Sequence, residues 1–488
     1  MTAAGRAAVT AGMLRRFAMG IDGQGLAITG SAGAVAAYDR AVDCLIRFRP
    51  EVVDAAAAAA TEDPGCVLAS VFAAYLALMS TEEGAVAGAR EALARASTPA
   101  SPAAAPRERA HLAAARRWAA GDMTGAGALL GEITVQWPRD LLALFVGHQV
   151  DFFTGDAVNL RDRIGRALGA WHDDDPQTGF LHGMYAFGLE ECNLYGQSAD
   201  VGRRAVELNP DDVWGIHAVV HTHEMQGEIP DGIRFLRDRE AQWQTGNFLN
   251  VHNSWHYALY LLQGDEVEGA LDVYDRVLHH SGSEDVALEL LDATALLWRL
   301  QLDGISAGDR WPPLAEAWAR LLAPGFYPFN DMHAIMAFVG AGDVDRAAEV
   351  VGALEGVVAR GDRASTGWQM TSAVGMPVCR SLLHYGQGRY ELVLDELMPI
   401  RTRVHEFGGS HAQRDAVERT LLEAAIRAGR TDLALALVSE RLSVRECNTY
   451  AWSKRAGLLA AAADRPAAAW AAARASELAM QIRAAAAR

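Results

Sequence analysis

A recurring turn signal limits what this chain can fold into more than any other feature of its sequence. Apolar helical runs end at a glycine followed by an acidic, amide or basic residue, and a second, alanine-rich helical run then begins. The signal occurs at Gly121, Gly155, Gly196, Gly227, Gly264, Gly342, Gly388 and Gly429. Successive signals lie 31 to 46 residues apart, except for one gap of 78 residues that corresponds to two units, one of them degenerate. Helical pairs of this length bury their apolar faces only by stacking on neighbouring pairs.

The repeat predicts an all-α fold, a tetratricopeptide-like α-solenoid of stacked helical hairpins with a helical N-terminal cap. Strand signals are scarce, because β-branched runs are short and no Asn-Gly or Asp-Gly turn separates alternating segments. We interpret the Asp22-Gly23 pair as part of a glycine-rich loop. Residues 1–106 are assigned to the cap and to an exposed linker rich in proline, alanine and serine (96–106). Residues 107–488 are assigned to one continuous solenoid of repeats.

Composition narrows the classes of function that this chain can have. The 488 residues are 51% hydrophobic, which is enough for a large core. Their net charge of −17 argues against nucleic-acid binding. Five scattered cysteines without a CxxC motif favour a reducing cytoplasm. Neither a signal peptide nor an apolar run of about 18 residues occurs, so no membrane span is expected. The alanine and arginine usage suggests a bacterial genome.

One stretch, residues 213–264, contains five of the fifteen histidines on two predicted helices. In the first helix, Trp214, His217, His221 and Glu224 are separated by three, four and three residues, a spacing that places all four on one face. In a tetratricopeptide-like pair this face of the first helix lines the inner groove. Imidazoles and carboxylates transfer protons and bind metals, so this face is the predicted functional site.

The preceding helical pair is expected to contribute to the same site. Counted back from the glycine that ends each helix, Glu190 and Asn193 occupy the same offsets as His221 and Glu224. Stacking of consecutive pairs then predicts that Glu190 contacts His221 and that Asn193 contacts Glu224, with shifted pKa values. The predicted catalytic residues are Glu190, His217, His221 and Glu224.

A divalent metal is one possible occupant of this site, and a metal-free acid–base pocket is the other. His217 and His221, one helical turn apart, can bind one ion together, with Glu190 or Glu224 as a third ligand. The His-Glu pair at 223–224 does not begin an HExxH zinc motif, because a glycine stands where the second histidine is needed. The sequence therefore leaves the cofactor undefined.

The second histidine helix and a later helix provide weaker candidates. His252 and His256 lie twelve and eight residues before Gly264, and on an ideal helical register these offsets point away from the first cluster. A shifted register or an unwound helix start would bring His252 into it, whereas His256 is equally well explained as a core histidine bonded to a carbonyl. His333 either packs behind a helix start capped by Asp331 or contributes to ligand binding.

A Gly-Gly turn at 408–409 precedes a helix start with a capping box, formed by Ser410 and Gln413. The capping box leaves Arg414 and Asp415 unexplained, and an arginine at a helix N-terminus can hold an anionic substrate group. The predicted substrate-binding residues are Asn193, Trp214, His252, His256, His333, Arg414 and Asp415.

Six longer motifs carry a family resemblance. They are PRDLLALFVGHQVDFFTGD (138–156), GMYAFGLEECNLYG (183–196), LNPDDVWGIHAVVHTHEMQG (208–227), NVHNSWHYALYLLQGD (250–265), FNDMHAIMAFVGAGD (329–343) and GGSHAQRDAVERTLLEAA (408–425). Together they resemble the tetratricopeptide repeat protein 38 family over most of the chain, with His411 where that family has asparagine. The resemblance implies an all-helical repeat protein and supplies no reaction.

Two hypotheses about function follow from these observations. No GxSxG elbow, phosphate-binding P-loop or GxGxxG fingerprint in a βαβ context occurs, so no nucleotide or nicotinamide cofactor is expected. The first hypothesis is a small-molecule enzyme that uses the histidine and glutamate cluster for hydrolysis, elimination or isomerisation. The second is a non-catalytic scaffold that binds a peptide or protein in its groove. We favour the enzyme, because burying unpaired imidazoles would cost a scaffold stability, and it requires Glu190 and His221 within about 6 Å of each other.

Overall fold

The computed structural model describes residues 19–96 and 104–487. Within these ranges the chain is all-α apart from one small β-hairpin, and its helices stack in pairs as a tetratricopeptide-like solenoid. The predicted fold class is confirmed. The first 18 residues of the predicted cap and residues 97–103 of the predicted linker lie outside the described residues. Within the described ranges, no helix combines the length and apolar character that crossing a membrane requires.

The β-hairpin occupies a stretch that the sequence predicted to be a loop. Strands β1 (Met19–Ile21) and β2 (Ala27–Thr29) pair antiparallel around the Asp22-Gly23 turn. The Asp22 carboxylate accepts the Leu26 N–H at 2.9 Å and binds the buried Arg107 guanidinium at 2.7 Å. Strands of three residues are too short to show an alternating pattern, and a buried ion pair with a distant helix stabilises this turn.

Four helices complete the N-terminal part, and the second and third are separated at Asp63-Pro64-Gly65. Helix α1 begins at Ser31, whose side chain accepts the Ala34 N–H. A 3₁₀ turn, Glu83–Ala85, precedes the fourth helix. The four helices are α1 (Ala32–Ile46), α2 (Val52–Glu62), α3 (Val67–Met79) and α4 (Val86–Arg95).

Helical pairs make up the rest of the described chain. The first five pairs are α5 (Pro106–Ala119) with α6 (Met123–Gln136), α7 (Leu141–Phe153) with α8 (Ala157–Ala167), α9 (Thr178–Glu191) with α10 (Tyr195–Leu208), α11 (Val213–Gln226) with α12 (Ile229–Arg237), and, after the short α13 (Glu240–Trp243), α14 (Asn250–Gln263) with α15 (Val267–Val273). A π-turn, Tyr274–Leu278, extends α15, and a 3₁₀ turn, Leu168–Ala170, follows α8.

Five more pairs follow in the C-terminal half. They are α16 (Ala287–Leu302) with α17 (Trp311–Leu321), α18 (Pro328–Gly340) with α19 (Val344–Arg360), and, after the short α20 (Thr366–Met370), α21 (Met376–Gly386) with α22 (Tyr390–Leu397), α23 (His411–Arg427) with α24 (Thr431–Val444), and α25 (Thr449–Ala461) with α26 (Arg465–Ala486). A π-turn, Thr371–Gly375, joins α20 to α21, and 3₁₀ turns cover Gly308–Arg310, Met398–Ile400 and Val404–Phe407.

A left-handed backbone residue marks the turn inside these pairs, and it is not always glycine. Between α9 and α10 it is Asn193 (φ 61°), and between α14 and α15 it is Asp265 (φ 58°). Gly196, predicted to end α9, lies inside α10, and Gly264 has an ordinary φ of −91°. Asparagine and aspartate tolerate this conformation better than other side chains. Gly304 (φ 76°) supplies the turn of the α16–α17 pair, which accounts for the double-length gap.

The solenoid closes on itself, because late helices pack against early ones. Helix α23 contacts α16, and α26 contacts α12. Hydrogen bonds between distant pairs include His411 N–H to Glu191 Oε1 (2.8 Å), Tyr327 O–H to the Phe153 carbonyl (3.2 Å), Trp298 Nε1–H to Thr420 Oγ1 (2.9 Å) and Arg237 Nη2–H to the Ala485 carbonyl (2.8 Å).

Closure buries the inner helices on nearly every side. In α7 all residues except Phe152 are buried, and α11, α16, α18 and α23 are buried almost as fully. Polar side chains on these helices therefore lie in the interior, where each needs a partner. The predicted site residues on α9, α11 and α14 belong to this group.

Candidate functional site

Helices α11 and α14 lie side by side in the interior and carry the candidate site. Helix α11 begins at Asp212, whose carboxylate accepts the Trp214 N–H at 3.1 Å, and ends at Gly227 in the left-handed conformation. It packs between α9 and α14. This arrangement brings the predicted face of α11 against side chains from both neighbouring helices.

Four histidines from these two helices form one cluster, here called the histidine quartet: His217, His221, His252 and His256. One nitrogen of each imidazole lies within 4.8 Å of the corresponding nitrogens of the others. Ring centroids are 4.4 Å apart for His217 and His221, and 4.3 Å apart for His221 and His256. Three of the four side chains are buried, and His252 keeps 16% of its side chain exposed.

The prediction that an ideal register keeps His252 and His256 away from this cluster is wrong. The register was counted from Gly264, whereas the left-handed turn residue of this pair is Asp265. Counted from Asp265, His252 lies thirteen residues before the turn, which is the offset of Trp214 in α11. One residue of register rotates a helix by about 100°, enough to turn both histidines into the cluster. His256 contacts a carboxylate rather than the predicted carbonyl.

Three carboxylates face the outer nitrogens of the quartet. His252 Nδ1 lies 2.8 Å from Asp292 Oδ2, and His256 Nδ1 lies 3.0 Å from Glu224 Oε2. His221 Nδ1 lies 3.6 Å from Glu190 Oε2, which satisfies the distance that the enzyme hypothesis required. A carboxylate at Nδ1 fixes the orientation of the ring and leaves Nε2 for another partner.

Five of the eight ring nitrogens of the quartet are buried without a hydrogen bond to any described residue. They are both nitrogens of His217, both nitrogens of His221 and Nε2 of His256. Burial, reinforced by the neighbouring imidazoles, holds the pKa of His217 and His256 well below the ordinary histidine value, and burial lowers the pKa of His221 to about 4. These imidazoles are therefore neutral at neutral pH, which is the form that accepts a proton or binds a metal ion.

Burial has the opposite effect on the carboxylates. It raises the pKa of Glu224, and it raises the pKa of Glu190 well above its ordinary value, assisted by the nearby charge of Glu191. Glu191 has a lowered pKa of about 2, because His411 and Arg414 stabilise its charge against the cost of burial. The pKa values of two adjacent residues of α9 are therefore shifted in opposite directions.

Asn193 does not lie where the sequence placed it. Its backbone forms the turn after α9, and its Oδ1 accepts the Tyr195 O–H at 2.7 Å. Counting from this turn, the residue of α9 equivalent to His221 is Phe187, whose ring lies 5.1 Å from the His221 ring. Asn193 instead lines a separate cleft beside α24, together with His411 and Arg445.

An aromatic cavity of about 140 Å³ lies against the quartet. His217 and His252 line it directly, whereas His221 and His256 do not. Trp214 lines its wall, with its ring stacked on Phe48 at 5.4 Å between centroids. Eight aromatic residues line the cavity: Phe48, Phe152, Phe153, Phe187, Trp214, Phe248, Tyr327 and Phe329.

Two acidic residues of the cavity were missed by the sequence analysis. Asp292, which orients His252, and Glu289 both belong to α16 and line the cavity. Burial, followed by the charges of Glu284 and Asp292, raises the pKa of Glu289 to about 7. An aspartate inside the apolar run ALELLDATALLWRL is the signal that could have identified Asp292, because such a residue needs a buried partner.

The other predicted binding residues lie outside the quartet. His333 Nδ1 donates to the Phe329 carbonyl at 2.8 Å, so it packs behind the cavity wall. Ser410 and Gln413 form the predicted capping box and line the cavity. Arg414 does not stand open to an anion: it binds Glu191 Oε2 at 2.9 Å, and closure of the solenoid provides this partner.

Asp415 likewise is committed to other side chains. Its carboxylate binds Arg441 at 2.5 Å and Arg419 at 3.1 Å, and Arg445 and Arg299 lie within 4 Å. These guanidinium groups hold its pKa well below the ordinary range against the cost of burial. Asp415 therefore anchors an arginine cluster and does not reach the aromatic cavity.

No protein-family model matches the chain. Solved helical-repeat structures are similar to it at low sequence identity. The human IFIT1 dimer with PPP-AAAA is 12% identical, with a TM-score of 0.42 over 95% of this chain and 96% of that one. The APC/C hetero-tetramer Cut9-Hcn1 is 10% identical, with a TM-score of 0.30 over 94% and 96% of the two chains. The P58(IPK) TPR domain is 13% identical, with a TM-score of 0.21 over 78% and 96%. These similarities concern the helical-repeat architecture alone.

Proposed function

We propose that this protein is a small-molecule enzyme whose substrate occupies the aromatic cavity and reacts beside His217 and His252. The reaction is acid–base or metal-assisted and belongs to the hydrolysis, elimination or isomerisation class. The observation that carries the proposal is that His217, with two unpaired ring nitrogens, lines a cavity. The six motifs support placing the chain in the tetratricopeptide repeat protein 38 family, which adds no reaction of its own.

The cavity indicates the kind of group that it holds. Its volume of about 140 Å³ is close to that of the apolar cavity of about 150 Å³ that binds benzene in an engineered protein. Aromatic walls favour a flat apolar or aromatic group. Phe248 and Leu288 are 48% and 40% exposed, so they form the mouth, and polar parts of a larger substrate would extend past them.

Acid and base roles follow from the protonation states of the lining residues. His217 is neutral at neutral pH and can accept a proton from substrate or water. Glu289, with a pKa of about 7, is protonated in about half of the molecules and can return that proton. His252 is oriented by Asp292, which presents its Nε2 for a second contact. A neutral imidazole as base together with a carboxylic acid whose pKa is near 7 suits all three reaction classes.

A scaffold that binds a peptide or protein remains the second candidate, and one cleft favours it. This cleft of about 320 Å³ beside α24 is lined by Arg401, Arg441 and Arg445. Arg401 already binds Glu440 at 3.1 Å, and Arg441 binds Glu418 at 2.9 Å. An acidic peptide would have to displace these carboxylates, so the cleft supports binding less strongly than the cavity supports catalysis.

A compound screen with a cavity-blocking variant tests the enzyme proposal. Small aromatic and apolar esters, amides, alcohols and hydroxy acids would be screened by thermal shift, and each stabilising compound would be incubated with the protein and analysed by mass spectrometry. Val251→Trp fills the cavity, and Val53→Trp places the same side chain on an exposed surface as a control. We expect binding and turnover by wild type and Val53→Trp, and neither by Val251→Trp.

Two further variants separate binding from chemistry. His217→Gln and Glu289→Gln should retain binding and lose turnover by about 100-fold or more, the usual contribution of a general acid or base. In wild type, kcat should depend on the ionisation of Glu289 near pH 7, and Glu289→Gln should remove that dependence. Equal binding by wild type and Val251→Trp, or binding without turnover of any compound, would refute the enzyme and favour the scaffold.

A further inference from the structure

The arrangement of nitrogen atoms in the histidine quartet is suited to a single ion. Four imidazoles offer one nitrogen each within a sphere where the nitrogens are at most 4.8 Å apart. A tetrahedral ion with bonds of about 2.0–2.1 Å requires nitrogens about 3.3 Å apart, so small rotations about the side-chain bonds would suffice. Two of the ligands lie on each of two packed helices, which fixes their relative position.

The carboxylates around the quartet have the arrangement found behind metal-bound histidines. Asp292 and Glu224 accept from Nδ1 of His252 and His256, and Glu190 lies 3.6 Å from Nδ1 of His221. A histidine that donates its Nδ1 proton to a carboxylate directs the lone pair of Nε2 to a metal ion. His252 and His256, whose Nδ1 atoms are bound to carboxylates, therefore have Nε2 to offer to an ion, whereas His217 and His221 can offer either nitrogen.

The unpaired nitrogens of the quartet also favour ion binding energetically. His217, His221 and His256 have buried nitrogens with no hydrogen-bond partner among the described residues. Each buried polar atom left unpaired costs about 1–3 kcal/mol. A cation bound at the centre would pair with one nitrogen of each of these three rings at once, and its charge would offset the buried carboxylates that face the rings.

A second cluster of possible metal ligands lies nearby, and it is less suitable for binding a cation. Glu190, Glu191 and His411 also bring ligand atoms within 4.8 Å of one another. However, Glu191 is bound to the Arg414 guanidinium at 2.9 Å, and a cation placed there would be repelled by it. The quartet has no arginine or lysine bound to any of its four rings among the described residues, so it is the stronger site.

We propose that His217, His221, His252 and His256 bind one first-row divalent transition-metal ion, which can expand to a fifth coordination position on the side of the aromatic cavity. Four imidazole ligands without a thiolate suit zinc or iron(II) rather than magnesium or calcium. Because His217 and His252 line the cavity, a water molecule or substrate atom can approach the ion from that side. Only this access rests on the proposed function, and ion binding itself does not.

Metal reconstitution of the full chain tests the binding. Protein stripped with a chelator would be titrated with zinc and with cobalt(II), and bound metal would be measured by mass spectrometry and by the visible absorption of cobalt. We expect one ion per chain. His221→Ala and His256→Ala should weaken binding by at least 100-fold, and Asp292→Asn and Glu224→Gln by about 10–100-fold.

Matched controls distinguish ligand loss from misfolding. His333→Ala removes a buried histidine whose hydrogen bond is to a backbone carbonyl, and Asp331→Asn changes a buried carboxylate that accepts from a backbone N–H. Both controls should bind one ion with unchanged affinity, and far-ultraviolet circular dichroism should match wild type for every variant. Binding below about one ion per five chains at micromolar metal, or equal affinity in quartet and control variants, would overturn the proposal.

A second readout tests the open side of the ion. Azide added to the cobalt protein should change the visible spectrum in wild type and not in Val251→Trp, which fills the cavity. An unchanged wild-type spectrum would show that the ion is closed off and would overturn the cavity-facing part. Absence of metal together with turnover of a cavity compound would overturn the metal site and leave the acid–base enzyme intact. One bound ion without any turnover would support the metal site and count against the enzyme.

Discussion

The opposite pKa shifts of Glu190 and Glu191 predict different effects of two equivalent substitutions. Glu191 accepts the His411 N–H at 2.8 Å and the Arg414 guanidinium at 2.9 Å, which lowers its pKa to about 2. A carboxyl whose pKa falls from about 4.3 to about 2 contributes about 3 kcal/mol at neutral pH. Glu191→Gln should therefore destabilise the chelator-stripped protein by about 3 kcal/mol at pH 7.

Glu190→Gln, in contrast, should not destabilise the chelator-stripped protein. Burial and the charge of Glu191 raise the pKa of Glu190, so folding favours its neutral form. Glu190→Gln introduces a neutral group of similar shape and should leave stability unchanged or increase it. Glu207→Gln, on an exposed carboxylate, serves as a surface control.

Urea unfolding followed by circular dichroism measures both effects as shifts of the midpoint. The pH dependence of the stability difference between wild type and Glu191→Gln provides a second test. Because the pKa of Glu191 is lowered by folding, its contribution is complete above about pH 4.3 and disappears as the pH falls towards about 2. The difference between wild type and Glu191→Gln should shrink over that range. Equal midpoint shifts for the two variants at pH 7, or a difference that grows in acid, would refute the reasoning.

Three further predictions concern stability elsewhere in the fold. Burial raises the pKa of Asp331 to about 8, so the folded state binds more protons than the unfolded state between about pH 4 and pH 8. The free energy of unfolding of wild type should therefore fall as the pH rises over this range. Asp331→Asn should remove this pH dependence, measured by urea titration at several pH values. Gly155→Ala would place a Cβ 1.7 Å from a backbone carbonyl at a φ of 68°, whereas the Cβ of Gly429→Ala, at a φ of 71°, meets open space. The first substitution should lower the melting temperature strongly, and the second should cost only about 1 kcal/mol of backbone strain and lower it slightly. Equal shifts of the melting temperature would contradict the packing argument. Trp298→Phe loses the bond to Thr420 across the closed solenoid and should cost about 2–4 kcal/mol, measured by urea midpoint.

The helical pairs could be predicted from the sequence because each pair is a local unit with its own turn. The exact register could not be predicted wherever Asn193 or Asp265 replaced glycine at the left-handed position. That one-residue error at Asp265 is why the sequence separated His252 from the first histidine helix. Glu190 still lies 3.6 Å from His221, although its true offset from the turn is that of Glu224, one helical turn after His221.

The repeat pattern in the sequence does not indicate the contacts that form where the solenoid closes on itself. The partners of Arg414 and Asp415 come from helices α9 and α24, and the sequence order of the repeats does not reveal which distant pairs meet. Asp292 was overlooked although its apolar surroundings could have identified it as a buried acid. The candidate face on α11 was thus predictable, whereas the cavity in front of it depended on tertiary packing.

Closure of the solenoid has a kinetic consequence. An open array of repeats folds through neighbouring contacts, so its parts can fold as they leave the ribosome. Here α26, which is synthesised last, packs against α12 and α14, and α23 packs against α16. Until α23 and α26 are synthesised, the faces of α12, α14 and α16 that they cover stay exposed, and nascent chains at this stage should be the species that engages chaperones. Deleting only α26 should therefore lower the yield of folded protein far more than removing a terminal repeat from an open array.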